Sequence, residues 1–544
     1  MKVAEVKAWK HQERAFELAP GKPGFALFWE MGLGKTYGAI QLLRRRMNEE
    51  KQILRSIIFT PPLVVPQWKE EWLKFTKIPA SKITLLQGSQ KERVSAFLKG
   101  SAEGRIFVTN YEALLMKDLF HAMKLWLPQE LIFDECHRLK NPTAQRSKLA
   151  YELANPWDQK AKRPLPRPRV LILSGSPILN SPLDIFMQVK VMLGGWPTLH
   201  PKYKEHLAAR SYFTRMANVS EADLARIKWA GDIFSGQLVD NFFVFRAMYF
   251  RDRNAGLPKD RYFPDWRPAT VERDGFDAIG ELQEILSHIS VRATKKESLD
   301  LPDEVPVIHR VGLTKEQARV YGQMKKDLVA YVTETQACSA SLAIVKALRL
   351  MQIASGFVST EGVGDEADRA DIRFPDTPKD EALIELLEEI APHSKVLVWA
   401  VWQENYGQLR KIFEKLGLGY VEAHGQISDA KKREAVEQFK TDPSKRIFLG
   451  HPGSGGIGIN LVNAPYSIFY SRTHSLEHYL QARARNHRGG QTEKVTHYDL
   501  VCHQTIDELV LEKLAQKASM SDTLLQTEKT IGYKELVDGI SRQG

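Results

Sequence analysis

Short runs of apolar residues recur along the first third of the chain and alternate with segments of helical spacing. The runs are GFALFW, SIIFT, KITLLQ, RIFVTNY, ELIFDE and RVLILSG. The helical segments lie near residues 36–47, 66–75 and 143–154. Continuous Val, Ile, Leu and Phe runs separated by helices predict a parallel sheet that is covered on both faces.

The same alternation returns in residues 395–518. Its apolar runs are KVLVWAV, LGYVEA, RIFLG, YSIFYS and KVTHYDLV. Helical patterns begin near residue 404, at Ser428 and near residue 475, and Gly417 is placed to cap the first of them. No sequence identity is visible between the two regions, yet both predict an α/β lobe with a doubly wound parallel sheet. Such sheets bind ligands at the carboxyl ends of their strands.

The intervening residues 186–380 show no strand rhythm and are rich in aromatic and basic residues, as in NFFVFRAMYFRDR. We interpret them as largely helical. The aromatic residues at 242–250 have helical spacing, which favours core packing over a surface on which bases stack. The predicted organisation is a first lobe at 1–185, a helical insertion at 186–380, a second lobe at 381–518 and a C-terminal segment at 519–544.

Composition narrows the class of protein. The chain of 544 residues has a formal net charge of +11 and a pI near 9.2. This balance favours a polyanionic partner, nucleic acid before an anionic membrane, although a basic surface without such a partner explains it equally well. Cys136, Cys338 and Cys502 form no CxxC pair, which argues against a zinc site or a disulfide framework. Because no signal-peptide pattern and no apolar run of membrane-spanning length is visible, we expect a soluble, cytoplasmic protein.

Residues 25–36, FALFWEMGLGKT, suggest a phosphate-binding loop. An apolar strand runs into Gly-x-Gly-Lys-Thr before a helix, and backbone amides at a helix N-terminus attract phosphate. Lys35 would add a positive charge at the β- and γ-phosphates of ATP, and the Thr36 hydroxyl could hold Mg²⁺. The standard pattern has a glycine where this chain has Trp29, so a chance glycine turn is the alternative.

A pair of carboxylates ends another apolar strand, in LIFDECHRLKN. At a strand end, Asp134 is suited to hold Mg²⁺ and Glu135 to activate an attacking water. A solvated turn is the alternative for this pair taken alone. Together with the glycine loop, the pair predicts a nucleotide hydrolase that uses ATP and Mg²⁺.

With DECH as an Asp-Glu-x-His box, the chain resembles the superfamily 2 helicase-like ATPases, and within them the Swi/Snf-type branch. The resemblance covers nearly the whole chain, through WKHQERAF, EMGLGKT, TPPLVVPQWKEEW, VTNYEAL, LSGSPILNSP, VRATKKESLDLP, ALRLMQIASG, HPGSGGIGINLVNA and QARARNHRGGQ. It implies two RecA-like lobes and a DNA-dependent ATPase. In this branch EMGLGKT is the form of the phosphate loop, and the glycine absent at position 29 is not part of it.

The resemblance also assigns roles to the matching residues. Gln12 would read adenine, and Ser174 and Ser176 would couple hydrolysis to movement together with Gln481. The residues that would hold ATP are Gln12, Met31, Gly32, Leu33, Gly34, Lys35, Thr36 and Gly458, and those that would take part in catalysis are Lys35, Asp134, Glu135, Arg485 and Arg488.

Two arginines carry the chemistry of the second lobe. On a helix, Arg485 and Arg488 would face the same side, and their planar guanidinium groups suit recognition of the γ-phosphate. A basic helix that faces DNA is the alternative. Because Lys35 and Arg488 fall in different lobes, we expect ATP in a cleft that closes on it, which would move one lobe against the other.

Three positions depart from the pattern of this branch. Trp29 and Ala484 stand where acidic residues are usual, and Gly453 stands where a basic residue is frequent. No matched catalytic position is lost, so the departures bear on substrate contacts and tuning more than on hydrolysis.

Tracking along a polymer requires phosphate contacts on both lobes. The candidates are Gln67, Trp68, Lys69, Thr109, Asn110, Tyr111, Arg138 and Lys140 on the first lobe, and His424, Asn460, Ser471 and Arg472 on the second. The basic loop Lys160–Arg169 is a further candidate, with a solvated linker as the alternative.

Three functions are compatible with these motifs. The resemblance implies a double-stranded-DNA translocase, and the others are a strand-separating DNA or RNA helicase and an ATP-dependent DNA-binding switch without productive turnover. The switch is disfavoured because the catalytic residues are present. No nuclease-like carboxylate cluster is visible, so any nuclease, replication or repair partner would be a separate protein. We expect a monomer without membrane association, in the cytoplasm of a bacterial or phage-infected cell.

Overall fold

The computed structural model describes residues 7–103, 105–158, 160–198, 237–256, 265–269, 278–334, 340–359, 371–453 and 460–525. These residues fall into two compact units. The first unit contains the described residues up to 253, those of 265–299 and 521–525, and the second contains 254–256 and the described residues of 300–520.

A seven-stranded, entirely parallel sheet is the centre of the first unit. The strands of this unit are β1 (Gly24–Trp29), β2 (Ser56–Thr60), β3 (Ile83–Leu86), β4 (Ile106–Asn110), β5 (Glu130–Asp134), β6 (Trp157–Asp158), β7 (Arg163–Pro164), β8 (Arg169–Leu173), β9 (Trp196–Thr198), β10 (Gln237–Val239), β11 (Phe250–Asp252), β12 (Trp266–Pro268) and β13 (Ser290–Ala293). The sheet has the order β13-β1-β8-β5-β2-β4-β3, and the remaining strands form antiparallel pairs. Every residue of β1, β2 and β5 is buried, as expected for strands covered on both faces.

Helices cover this sheet. Those described in the first unit are α1 (Lys10–Leu18), α2 (Lys35–Glu49), α3 (Val65–Phe75), α4 (Gln90–Glu103), α5 (Lys117–Trp126), α6 (Gln145–Ala154), α7 (Asp184–Leu193), α8 (Phe242–Tyr249), α9 (Ala278–Ile289) and α10 (Lys295–Ser298). The three helices predicted from spacing correspond to α2, α3 and α6, and the six predicted strands to β1–β5 and β8. Both predictions are confirmed.

The second unit repeats the architecture on a six-stranded parallel sheet with the order β14-β21-β20-β17-β19-β18. Its strands are β14 (Glu304–Val311), β15 (Phe357–Ser359), β16 (Asp371–Arg373), β17 (Val396–Trp399), β18 (Gly419–Ala423), β19 (Lys445–Gly450), β20 (Tyr466–Phe469) and β21 (Val495–Cys502). Its helices are α11 (Lys315–Glu334), α12 (Ala340–Ala354), α13 (Pro378–Ile390), α14 (Gln403–Lys415), α15 (Asp429–Thr441), α16 (Leu476–Arg483) and α17 (Ile506–Leu524). The predicted α/β class with two doubly wound sheets is confirmed.

Residues 186–380, predicted to be largely helical, also contribute a strand to each of the two large sheets. Within that range β13 extends the first sheet beside β1, and β14 extends the second sheet beside β21. Both are edge strands, and an edge strand tolerates a proline such as Pro306. SVRA is only four residues long and contains an arginine, and EVPVIHRV is interrupted by polar residues, so neither shows the continuous apolar run by which the other strands were found.

The aromatic segment at 242–250 packs in the core, as predicted. In α8 the Phe245 ring lies 4.7 Å from that of Trp196 and 4.9 Å from that of Phe186, while Phe243 is exposed. Predictions that fall on residues 199–236, 360–370 and 454–459, including Gly458, lie outside the described residues. No described helix is long and apolar enough to cross a membrane.

Candidate nucleotide-binding site

The glycine loop joins the end of β1 at Trp29 to the start of α2 at Lys35. Gly32 has a φ of 92° and Gly34 a φ of 74°, in the left-handed region that favours glycine. A Cβ on Gly34 would also lie only 2.7 Å from the side-chain nitrogen of Gln12. The left-handed backbone therefore favours glycine at position 34, where any side chain would also displace the Gln12 amide. The loop presents the N-terminus of a 15-residue helix.

Two buried residues of α1 support this loop. His11 Nε2 lies 3.0 Å from the Leu33 carbonyl oxygen, and Gln12 Nε2 donates to the same oxygen at 3.4 Å. The side-chain oxygen Oε1 of Gln12 accepts from the backbone N–H of Trp9 at 3.0 Å. In this structure the Gln12 amide is bonded to Leu33 of the loop and to Trp9. Recognition of adenine by Gln12 stays a prediction. No sequence pattern had singled out His11.

Trp29 packs beneath α2. Its side chain is fully buried, and its ring meets the His11 ring edge-on at 4.6 Å. A Cβ on Gly38 of α2 would lie 2.6 Å from the Trp29 ring, so helix and indole are in direct contact. The position at which related sequences place an acid thus has a packing role here. The Trp29 carbonyl oxygen also accepts from Lys35 Nζ at 3.0 Å.

Asp134 is buried at the carboxyl end of β5 and is held by three donors. Its Oδ2 accepts from Thr60 Oγ1 at 3.1 Å and from Trp68 Nε1 at 3.0 Å, and its backbone oxygen accepts from the Tyr111 hydroxyl at 2.7 Å. Burial, with Glu135 alongside, raises the pKa of Asp134 to about 6. The bonds from Trp68 and Thr60 and the charge of Lys35 oppose that rise.

Glu135 adopts a backbone conformation that is strained for a residue other than glycine, with φ 53° and ψ 53°. His137 Nδ1 lies 3.4 Å from Glu135 Oε2 and 3.4 Å from Ser174 Oγ. Ser174 Oγ accepts in turn from the backbone N–H of Ser176 at 3.1 Å. His137 therefore connects the DECH box to the two serines predicted to couple hydrolysis to movement, and that coupling role stays a prediction.

The loop after β8 closes a cradle beside the glycine loop. A Cβ on Gly175 would lie 3.3 Å from the Met31 amide nitrogen and 3.4 Å from Lys35 Nζ. Space bounded by a backbone amide and an ammonium group suits a phosphate. Oxygen donors for Mg²⁺ are present in Thr36 and Asp134. Among the described residues, no group of three or more His, Cys, Asp or Glu side chains is arranged to hold a metal ion.

The segment VRATKK lies beside this loop, a position that its sequence did not reveal. β13 pairs with β1 in register from Ala26 to Trp29, and the backbone N–H of Lys295 donates to Glu30 Oε2 at 3.0 Å. Thr294 and Glu297 form a capping box that begins α10 there. The turn after β13 therefore fixes the first residue of the EMGLGKT string.

The predicted helical placement of Arg485 and Arg488 is wrong. α16 ends at Arg483, and the arginines follow in turns. Side chains and amides from outside the helix hold this segment: Leu461 N donates to Arg485 O at 2.9 Å, Asn486 Nδ2 to Ala464 O at 2.9 Å and Gln491 Nε2 to Val462 O at 3.0 Å. These bonds tie the segment after α16 to residues 461–464. Burial lowers the pKa of Arg488, and Gln481 donates to Glu477 Oε1 at 3.0 Å.

A charged cluster that sequence reasoning missed anchors the end of α16. Glu304, the first residue of β14, lies 3.0 Å from Arg483 Nε, 2.9 Å from His497 Nε2 and 3.5 Å from His487 Nδ1. Burial alone would raise the pKa of Glu304, but Arg483 and the two histidines hold it well below its usual range. The residues that meet here are far apart in sequence, so no local pattern could have indicated the cluster.

Six of the residues predicted to contact DNA are buried in this structure, and their contact with DNA stays a prediction: Trp68, Thr109, Tyr111, His424, Ser471 and Arg472. Arg472 Nη2 lies 3.0 Å from Asp499 Oδ1, and the His424 ring stacks on that of Tyr406 at 4.0 Å. These residues were chosen because they lie near strand ends, and position along the chain does not show which side chains there point into the core. Gln67 is exposed and Lys69, Asn110, Arg138, Lys140 and Asn460 are partly exposed, so for these the prediction stands untested.

The basic loop Lys160–Arg169 includes a short hairpin, β6–β7, that precedes β8. Lys160, Lys162 and Arg163 are exposed, as is Trp157. Because the glycine loop lies at the carboxyl ends of the strands, the hairpin stands at the opposite end of β8. Any contact of the hairpin with DNA would therefore be separate from the contacts proposed near the cradle.

Comparison with known proteins gives two family matches, the SNF2-related domain over residues 15–225 and the helicase conserved C-terminal domain over residues 378–490. The chromodomain-helicase-DNA-binding protein 1-like of Danio rerio is 24% identical, covering 91% of this chain and 41% of that protein. The DNA repair and recombination protein RAD54-like of Gallus gallus is 24% identical, covering 94% and 65%.

Among solved structures, the Sulfolobus solfataricus SWI2/SNF2 ATPase core in complex with dsDNA matches with 20% identity and a TM-score of 0.37, covering 100% of this chain and 96% of that one. The chain spans between about a third and two thirds of the length of the curated relatives compared with it.

Gly38→Ala should destabilise the first unit, because the new Cβ would overlap the Trp29 ring. Overpacking of this kind costs about 1–3 kcal/mol. Urea unfolding of Gly38→Ala in the wild-type and Trp29→Phe backgrounds measures the effect. The cost should be smaller beside phenylalanine, which leaves room for the methyl group, and an equal cost in both backgrounds would contradict the contact.

Asp134→Asn should stabilise the first unit at pH 8. Because the folded-state pKa is raised, the stability contributed by this carboxyl is full below its ordinary pKa of 3.8 and is lost as the pH rises through about 6. Asparagine keeps an acceptor for Thr60 and Trp68 without the buried charge, so the gain should be on the order of 1–3 kcal/mol at pH 8 and vanish towards pH 4.

Unfolding free energies of Asp134→Asn at several pH values test this expectation. Glu70→Gln, at an exposed position of α3, is the control for removing a carboxyl group from the surface of the same unit. A loss of stability in Asp134→Asn at pH 8 would contradict the assignment of a costly buried charge.

Proposed function

The chain belongs to the Swi/Snf-type branch of the superfamily 2 helicase-like ATPases, and we propose that it is an ATP-dependent motor that moves along double-stranded DNA. The observation that carries the proposal is the cradle at the carboxyl edge of the first sheet. There the glycine loop, Lys35 and the strained, carboxylate-bearing turn at Asp134 and Glu135 lie together.

In this proposal the backbone amides of residues 32–36 and the N-terminus of α2 hold the phosphates of ATP. Lys35 exchanges its bond to the Trp29 carbonyl for the β- and γ-phosphates. Thr36 and Asp134 hold Mg²⁺, which when bound neutralises charge on the phosphate oxygens. Glu135 orients the attacking water and takes its proton.

Arg485 and Arg488 are proposed to stabilise the charge that develops on the transferred phosphoryl group. A guanidinium group remains charged even where burial lowers its pKa, as it does for Arg488. Hydrogen bonds with residues 461–464, and the bond that Glu304 accepts from Arg483, support this segment.

Double-stranded DNA is the proposed substrate. The formal charge of +11 supports a polyanionic partner. Gln67 and Lys69 on α3, with Arg138 and Lys140 after β5, offer partly exposed groups near the carboxyl edge of the first sheet. Relatives named for DNA repair, recombination and DNA binding support the same choice.

The test is ATP hydrolysis measured in parallel without nucleic acid and with duplex DNA, single-stranded DNA and RNA. We expect the largest stimulation with duplex DNA, and we expect Lys35→Ala and Glu135→Gln to lose at least about a hundredfold in turnover. Absent turnover in the wild type, or undiminished turnover in Glu135→Gln, would defeat the motor. Displacement of a triplex strand without separation of the duplex would distinguish translocation from strand separation.

Arg488→Ala should lose turnover while its ATP affinity stays within about tenfold of wild type, because the proposed interaction strengthens in the transition state. Single-turnover hydrolysis and equilibrium binding of a fluorescent ATP analogue separate the two quantities. Arg433→Ala, at an exposed arginine of α15, is the control. A parallel loss of binding would make Arg488 a ligand of the ground state.

A further inference from the structure

The indole of Trp68 is directed at the carboxylate that the proposed reaction uses for Mg²⁺. Trp68 Nε1 donates to Asp134 Oδ2 at 3.0 Å, and Thr60 Oγ1 donates to the same oxygen at 3.1 Å. Among the described residues, none donates to Oδ1. Two donors on one oxygen fix the plane of the carboxylate and leave the other oxygen available to a ligand.

Burial of an indole does not by itself produce such a bond in this protein. The indole N–H groups of Trp29, Trp72 and Trp196 are also buried, and none of them has a hydrogen-bond partner. Trp72 is particularly informative, since it lies four residues after Trp68 on α3 and is equally buried. The fold therefore accepts an unpaired indole N–H on this helix, and the bond to Asp134 is specific to position 68.

The neighbours of Trp68 on α3 face the solvent. Gln67 is exposed and Lys69 is partly exposed, while Trp68 is fully buried between them in sequence. The same turn of α3 therefore carries Gln67 and Lys69, which a DNA phosphate backbone can reach, and Trp68, whose indole bonds to the buried Asp134. A displacement of α3 changes the geometry at Asp134 directly.

We propose that Trp68 is a positioning residue that orients Asp134 for Mg²⁺ and connects the outer surface of α3 to the metal site. The inference rests on the proposed function, because it takes ATP with Mg²⁺ as the ligand and DNA as the partner of α3. Trp68 touches neither ligand. Its contribution is to hold the Asp134 side chain in the orientation that presents Oδ1.

The experiment titrates Mg²⁺ against binding of a fluorescent, slowly hydrolysed ATP analogue. Trp68→Phe removes the N–H and keeps an aromatic ring, and Trp72→Phe is the matched control on the same helix. Thr60→Val removes the other donor to Oδ2 while conserving the shape of the side chain. Circular dichroism and thermal unfolding show that each variant is folded.

We expect Trp68→Phe to raise the Mg²⁺ concentration at half-saturation by about tenfold, the loss typical of removing a residue that orients a metal ligand. Affinity for the analogue without Mg²⁺ should be unchanged. Thr60→Val should shift the midpoint in the same direction, and Trp72→Phe should match the wild type. Both tryptophan variants lose packing on α3, so a shift in Trp68→Phe alone would show that the Trp68 N–H orients Asp134.

A second titration adds duplex DNA. Duplex should lower the Mg²⁺ midpoint of the wild type and of Trp72→Phe at least about threefold, a change that corresponds to roughly 0.6 kcal/mol of coupling. Trp68→Phe should show no such shift. An unshifted wild type would overturn the connection between α3 and the metal site.

Equal Mg²⁺ midpoints for Trp68→Phe and Trp72→Phe would overturn the positioning role, and the proposed ATPase would stand. A wild-type protein that binds no analogue at any Mg²⁺ concentration would overturn the proposed function itself. The two failures are therefore distinguishable in one set of titrations.

Discussion

Burial of the Asp134 carboxylate is the constraint on which the first unit's site depends. A charge at this depth is costly unless donors surround it. Thr60 at the end of β2 and Trp68 on α3 donate to this carboxylate, and the positive charge of Lys35 after β1 lies close enough to stabilise it. Because all seven strands run in parallel, their carboxyl ends meet, and only this edge can gather these groups around one carboxylate.

The same edge contains the strained backbone of the unit. Glu135 is left-handed although it has a side chain, and Gly32 and Gly34 supply the left-handed positions of the loop. Strain at Glu135 persists because β5 on one side and the turn Cys136–Leu139 on the other fix the chain. The site thus combines two unfavourable features, a buried charge and a strained residue. The core of β1, β2 and β5 provides the stability against which both are tolerated.

In the second unit, Arg485 and Arg488 lie beyond the end of α16 and are held in position without a helix. Asn486 and Gln491 bind carbonyl groups of residues 462–464, and Arg483 is anchored by Glu304 from the first strand of the unit. This arrangement gives Arg485 and Arg488 a backbone set by tertiary contacts. Removing one of the anchors would therefore act on the arginines without touching them.

The sequence by itself determined the α/β class, the central strands, the glycine loop and the carboxylate pair. Central strands are continuous apolar runs, and the loop depends on glycines and on a lysine that are adjacent in the chain. Features of this kind are visible in a short stretch of sequence, because the residues that form them are adjacent in the chain. β13 and β14 were missed because SVRA is a short run that contains an arginine and EVPVIHRV is interrupted by polar residues.

Only the tertiary structure decided which polar residues turn inwards. It made Trp68, Tyr111 and Arg472 internal partners of Asp134 and Asp499 where the sequence predicted contacts with DNA. It also ended α16 before Arg485 and brought Glu304 to Arg483 across nearly 180 residues. The reason is the same in each case: a side chain's partner and exposure depend on residues distant in sequence, which one linear pattern does not specify.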